Sequence, residues 1–230
     1  MGESALFFHA FETVSAAIRA QLNCCERKNG PMGLNVIPPQ ILGRFEVYEF
    51  RHAAAVLSQD FPNEWGELMA LLSSLEIPRK WITEPGGNKS RIADWVDGFL
   101  CGARGWCEKM FETKITVDGR RFDSPTHKVD CFKNGSAFEL EWNNKDPFFD
   151  RDLNNFRLLF DLRMVSVGVI LTRADELQDL FDHYGKGSSY GNSTTHMSKL
   201  IPRIEGGGGG GCPLLAFGIL PFNIIKFSVT

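Results

Sequence analysis

Asn134-Gly135 is the feature that most restricts how this chain can fold. A two-residue hairpin loop of type I′ needs positive φ at both central positions, which Asn followed by Gly accepts at little cost. The flanking runs, His127 to Phe132 and Ser136 to Trp142, have strand-like composition. The turn then fixes the register: Lys133 faces Ser136, Phe132 faces Ala137, Cys131 faces Phe138 and Asp130 faces Glu139. Opposed residues hold their Cβ atoms about 4.5–5.5 Å apart. Glu141, two residues beyond Glu139, points the same way, whereas Phe138, Leu140 and Trp142 point the other. Three carboxylates thus share one face of a hairpin whose reverse is apolar.

Like charges directly opposite each other destabilise a sheet, so this face needs compensation. Two arrangements supply it. A hard divalent cation such as Mg²⁺ takes oxygen ligands and suits phosphoryl transfer, where it polarises the scissile phosphate and activates a water. Alternatively, the face is a solvated acidic surface neutralised by Lys133, Lys145 or nearby arginines.

Upstream the pattern is helical. Ser4 to Asn23 carries Phe7, Phe11, Val14, Ile18 and Leu22 at helical spacing, and a Gly/Pro-rich loop runs from Lys28 to Gly43. Phe45 to Phe50 alternates as a strand. Asp60 is placed to cap a helix with Pro62 in its first turn, and Ser90 to open one running to about Met110. Thr113 to Val117 ends at Asp118-Gly119, a second hairpin signal. Beyond the acidic hairpin, Pro147 to Met164 reads as a helix and Val165 to Leu171 as a strand buried on both faces. Ala174 to Tyr184 reads as a helix, Gly185 to Thr195 as a polar loop and Pro213 to Ile219 as a last buried strand. This order predicts an α/β fold, a mixed central β-sheet sandwiched by helices. Residues 1–44 form an N-terminal helical extension to a main domain over 45–230.

Composition narrows the function classes. At 230 residues, 43% apolar and 23% charged, the chain matches ordinary globular proteins. Its longest apolar runs are too short to span a bilayer as a helix, and its start lacks the basic segment of a secretory signal. Cys24, Cys25, Cys101, Cys107, Cys131 and Cys212 form no CxxC pair and have no His at zinc-ligand spacing. They read as reduced thiols of a cytoplasmic protein. The net charge of −3 does not decide for or against nucleic acid, because charge can be distributed unevenly.

Asp130, eight intervening residues, then Glu139-Leu140-Glu141 resembles the catalytic pattern of the PD-(D/E)xK nucleases. It is similar above all to the BglII-type restriction endonucleases, with an Asp, a Glu nine residues on and a polar residue two further. The likeness continues through Trp142-Asn143-Asn144-Lys145, Phe148-Phe149, Asn154-Asn155, Arg157 and the Val165–Leu171 strand. It extends more loosely over Tyr48, His52, Ala53, Leu57 and Trp65, and so spans roughly Phe45 to Phe222. The resemblance implies a restriction endonuclease-like core and a Mg²⁺-dependent type II site-specific deoxyribonuclease. Asp130, Glu139 and the Leu140 position are its implied metal holders. Glu141 and an acid from the preceding helix complete the implied catalytic set, with Glu108 the first candidate and Glu112 the next. The superfamily usually places Lys where Glu141 stands; Glu141 resembles the BamHI variant. A glutamate is no fixed cation, so general base and metal-shell ligand are both open to it.

Base reading needs hydrogen-bonding side chains: Asn suits adenine, and Lys or Arg suits guanine. Asn143, Asn144 and Lys145 leave the acidic strand directly after Glu141. The resemblance places a second recognition loop over Ser188 to His196, with Ser189, Asn192, Ser193, Thr194, Thr195 and His196 as DNA-binding candidates. A plain polar surface loop is the other reading of that segment. The resemblance also implies a homodimer gripping a palindrome in double-stranded DNA, and a cognate DNA methyltransferase. The helix from Ser90 is either that interface or core. Gly206 to Gly211 lacks the Gly-Lys-Ser/Thr ending of a phosphate loop and reads as a turn or a close-packed crossing. A repair or junction-processing nuclease, or an inactive DNA-binding protein, would share the same fold.

Overall fold

The computed structural model describes residues 33–84, 89–123 and 126–225. A 3₁₀ turn at Leu34–Val36 leads into α1 (Pro39–Leu42), β1 (Phe45–Phe50), α2 (Ala53–Asp60), α3 (Pro62–Ser74), β2 (Ile77–Pro78), α4 (Arg79–Thr83) and α5 (Arg91–Leu100). Then come β3 (Cys107–Lys109), β4 (Lys114–Val117), β5 (Arg120–Asp123), β6 (Val129–Lys133), β7 (Ser136–Glu141) and α6 (Pro147–Asp161). The chain closes with β8 (Val167–Arg173), α7 (Leu177–His183), α8 (Met197–Glu205), β9 (Leu214–Ile219) and β10 (Ile224–Ile225).

Six strands form one mixed sheet in the order β1-β9-β8-β7-β6-β3. The central β7, β8 and β9 run parallel, while β1, β6 and β3 pair antiparallel with their neighbours. Every residue of those three central strands is buried. Near-continuous apolar runs such as β8 and β9 are what strands covered on both faces require. One face carries Leu57, Leu68, Val96, Phe138, Phe181 and Phe217, contributed with α2, α3, α5 and α7. The other carries Phe149, Phe156, Ile170, Leu200 and Ile204, with α6 and α8 over it. The fold is therefore the α/β arrangement expected, a mixed sheet between helical layers.

Asn134 and Gly135 have φ of 48° and 87°, and the ladder pairs Cys131 with Phe138, Phe132 with Ala137 and Lys133 with Ser136. The turn is fastened to α3: Asn134 Nδ2 donates to Glu64 Oε1 at 2.8 Å, and Lys133 Nζ to Glu67 Oε1 at 2.8 Å. Lys133 is thereby committed to α3 and does not neutralise the acidic face. Asp118-Gly119 forms the second hairpin as expected, joining β4 to β5.

Several elements depart from expectation. Ser90 does cap α5, its Oγ accepting from the Ala93 amide at 3.1 Å. The helix ends at Leu100, however, because the next segment leaves it to supply the edge strand β3. Ile92, Val96 and Leu100 are core, so the apolar stripe of α5 packs inward. Asp60 caps nothing; it ends α2, an unanticipated helix, and α3 starts beyond Phe61 with Pro62 in its first turn. Helix α8 was also unanticipated, since Pro202 interrupts its pattern. The Gly206–Gly211 run is a close-packed crossing. A Cβ on Gly210 would lie 2.5 Å from Arg157 Cγ, and one on Gly209 would lie 2.5 Å from Leu214 Cδ1, so only glycine permits the approach. The helix expected over Ser4 to Asn23 lies outside the described residues, whereas Ile37 and Ile41 join the core. No helix among the described residues is long and apolar enough to cross a membrane.

Candidate active site

The hairpin ladder stops one pair short of the acids. Cys131 and Phe138 still pair, but at Asp130 and Glu139 the carboxylates take over the bonding. The Asp130 amide donates to Glu139 Oε2 at 3.2 Å, and the Leu140 amide donates to Asp130 Oδ2 at 3.1 Å. The sequence-derived register thus brings the two acids together through side-chain-to-backbone bonds.

Glu139 and Glu141 share a face, as strand alternation demands, and Phe138, Leu140 and Trp142 lie in the opposite core. The acidic face is not open, however: Glu139 is 0% exposed and Glu141 1%. It packs beneath α6, which adds a fourth acid, Asp152, also 1% exposed. Among the described residues, one guanidinium pairs with this group. Arg151 Nη2 lies 3.2 Å from Glu141 Oε1 and 2.7 Å from Asp152 Oδ1, and its guanidinium sits 4.3 Å from the Phe148 ring centroid. Asn144 Nδ2 donates to Glu141 Oε2 at 2.8 Å.

Electrostatics follow from four largely buried acids beside one guanidinium. Burial, reinforced by Asp152 and then Asp130, lifts the Glu139 carboxyl well above the usual carboxylate range. Burial and the neighbouring Asp152 push Glu141 up to about 9. Burial also raises the Asp152 carboxyl, opposed by the neighbouring Arg151 guanidinium. Asp130 is also raised by burial, opposed by the Leu140 N–H. Glu139 Oε1 and Asp152 Oδ2 are buried with no hydrogen-bond partner. Orphaned carboxylate oxygens in such a place fit a hard cation and its waters. Among the described residues no three carboxylate, imidazole or thiol groups form a ready-made ion cage. Mg²⁺ does not require one, since it is commonly held by one or two carboxylates with water and phosphate oxygens.

Asp130 and Leu140 open into a cleft of about 810 Å³ that also contains Asp94, Asp97, Trp142, Asn143, Asn144 and Ser189. The helix acid beside Asp130 is Asp97 on α5, close enough to raise the Asp130 carboxyl. Glu108 lies elsewhere: once α5 stops at Leu100, it falls on the edge strand β3, exposed and paired with Lys128 at 2.8 Å. Glu112 is exposed beyond that strand. Asp152 carried a legible signal, an acid among Phe149, Leu153 and Phe156 on the buried side of an amphipathic helix. Asp97 carried none, because acids on exposed helix faces are common.

The two polar segments form one ledge. Lys145 bridges Thr194 antiparallel, the Thr195 amide donates to the Asn144 carbonyl at 2.9 Å, and the Asp146 amide donates to the Ser193 carbonyl at 3.0 Å. Asn143, Asn144, Lys145, Ser189, Asn192 and Ser193 are exposed on it. Thr194, Thr195 and His196 are buried and face inward instead. Thr195 Oγ1 and Thr172 Oγ1 both donate to the Glu141 carbonyl, at 3.1 and 2.7 Å. His196 Nδ1 lies 2.7 Å from Asp175 Oδ1. Arg173, 1% exposed, holds the loop from below. Its guanidinium donates to the Thr195, Tyr190 and Gly191 carbonyls and to Thr194 Oγ1. The segment is a bonded support for its exposed residues.

A mixed six-strand sheet between helices is a restriction endonuclease-like core. The family model for restriction endonuclease BglII/BglIII matches residues 45–219, most of the chain. The chain belongs to that family, which makes it a site-specific deoxyribonuclease, a hydrolase. No curated protein matches it.

Proposed function

We propose that the chain is a type II restriction endonuclease that hydrolyses both strands of double-stranded DNA at a short palindrome in a Mg²⁺-dependent reaction. One observation carries this: the strand bearing Glu139, Leu140 and Glu141 leads directly into the exposed Asn143-Asn144-Lys145 ledge, and Asn143 and Asn144 line the same cleft as Asp130 and Leu140. Scission and base reading would then lie on adjoining residues, with the amides of Asn143 and Asn144 suited to adenine edges and Lys145 to guanine. Ser189, Asn192 and Ser193 extend the same surface.

Asp130, Glu139 and the Leu140 backbone would hold Mg²⁺. When bound, the ion polarises the scissile phosphate and lowers the pKa of an attacking water. Glu141, raised toward 9 by burial and by Asp152, would accept or return a proton there. Arg151 keeps the carboxylates beside it fixed and partly neutralised. Asp97, replacing Glu108 as the helix acid, lines the cleft opposite. A two-fold homodimer would read the palindrome, with a methyltransferase protecting the host's own sites.

Incubation with phage DNA and Mg²⁺ tests this reading. Discrete, reproducible fragments with 5′-phosphates are expected; a smear or intact DNA would overturn it.

A further inference from the structure

Directly behind Asp130 are two free thiols with no part in the chemistry above. Cys131 is the next residue on β6, and Cys101 follows the last residue of α5. Their Sγ atoms lie 3.0 Å apart. Each is also anchored to the cleft's acids: Cys101 Sγ lies 3.9 Å from the Asp130 carbonyl oxygen, and Cys131 Sγ lies 4.0 Å from Asp97 Oδ1. A disulfide requires about 2.05 Å between sulfurs, so closure needs a movement of roughly an ångström. The two thiols already face one another. Cys131 is fully buried and Cys101 partly open, so a reagent reaches Cys101 first.

We infer that Cys101 and Cys131 form a redox modification site, a reversible cross-link between the cleft helix α5 and the strand that carries Asp130. The oxidant is a low-molecular-weight disulfide. The Cys101 thiolate attacks one of its sulfurs, forming a mixed disulfide and expelling one small thiolate. The Cys131 thiolate then attacks Cys101 Sγ and expels the second. Two protein thiols are oxidised, one small disulfide is reduced to two thiols, and protons and electrons balance. In a reducing compartment such a bond is transient, which is the behaviour of a redox sensor and not of a structural staple. Cys107 lies nearby on the adjacent β3, where it is exposed and bonded to the Phe132 carbonyl, and serves as the internal control.

The test treats the full chain with oxidised glutathione, blocks remaining thiols, and maps peptides without reduction. A Cys101–Cys131 peptide that dithiothreitol removes is expected, together with slower amide exchange over 91–104 in the oxidised protein. Cys101→Ser must lose both effects while Cys107→Ser keeps them. Because Cys101 is partly open, its serine variant should fold; a thermal midpoint matching the reduced parent checks this, and Cys101→Ala gives a second variant. Stable glutathione adducts without the cross-link, a cross-link through Cys107, or unchanged exchange over 91–104 would overturn the inference.

Discussion

The Leu140 amide donates to Asp130 Oδ2 across 3.1 Å, at the point where the β6–β7 ladder gives way. One carboxylate oxygen thus completes the backbone bonding of the strand that holds Glu139 and Glu141. The hairpin thus places Asp130 by main-chain hydrogen bonding as well as by register.

Asp130→Asn keeps that acceptor oxygen but removes the charge. Cleavage should fall by about 10²–10³-fold or more, the scale of losing a transition-state charge partner. Specific DNA binding should remain measurable. Single-turnover cleavage and gel-shift titration on one DNA separate the two effects, and wild-type activity would show that this hairpin is not the catalytic face.

Arg151→Ala removes the guanidinium that lies against both Glu141 and Asp152. Breaking a buried pair costs about 3–5 kcal/mol, less here because Arg151 is partly exposed. A midpoint lowered by roughly 5–10 °C at neutral pH is expected for a domain of this size. Scanning calorimetry of the variant beside the parent reads the shift, and an unchanged midpoint would mean that Arg151 does not stabilise the acids.

Glu141 is pushed to about 9 in the folded chain, against about 4.5 when unfolded. Between those values the folded state holds a proton that unfolding releases, so stability is greatest on the acid side and falls as pH rises through the window. Glu141→Gln should flatten the profile of melting midpoint against pH. Mg²⁺ competes with protons for such oxygens, so it should raise the midpoint most near pH 9. A profile that rises with pH would contradict the assignment.

Arg173→Lys replaces a fork of bonds by one ammonium. Three loop carbonyls and Thr194 Oγ1 lose donors, and a loss of about 2–4 kcal/mol in stability follows. Specific DNA affinity should drop while non-specific affinity stays near wild type, read by competition with unrelated DNA. Equal losses for both would mean that the loop does not read sequence.

Asn143→Ala removes a candidate base contact from the exposed ledge without touching the acids. A good bidentate pair is worth about 1–3 kcal/mol, so affinity for the cognate site should fall about 10–100-fold. Cleavage of near-cognate sites should change far less.

Local chemistry determined a good deal by itself. Asn134-Gly135 forces a two-residue turn, the turn sets the register, and the register makes Asp130 and Glu139 neighbours with Glu141 on their face. The apolar runs of β8 and β9 dictate central covered strands. These are short-range constraints of backbone conformation and side-chain alternation, and a sequence states them directly. Only the tertiary structure decided that the acidic face is buried beneath α6, where Asp152 and Arg151 complete it. Nor could local pattern end α5 at Leu100, because that stop depends on β6 accepting β3 as its edge partner. It also could not show that Arg173 fastens Thr195 beneath the exposed ledge. Which buried acid meets which cation is settled when distant elements pack and lose their water, a long-range event that the order of residues does not display.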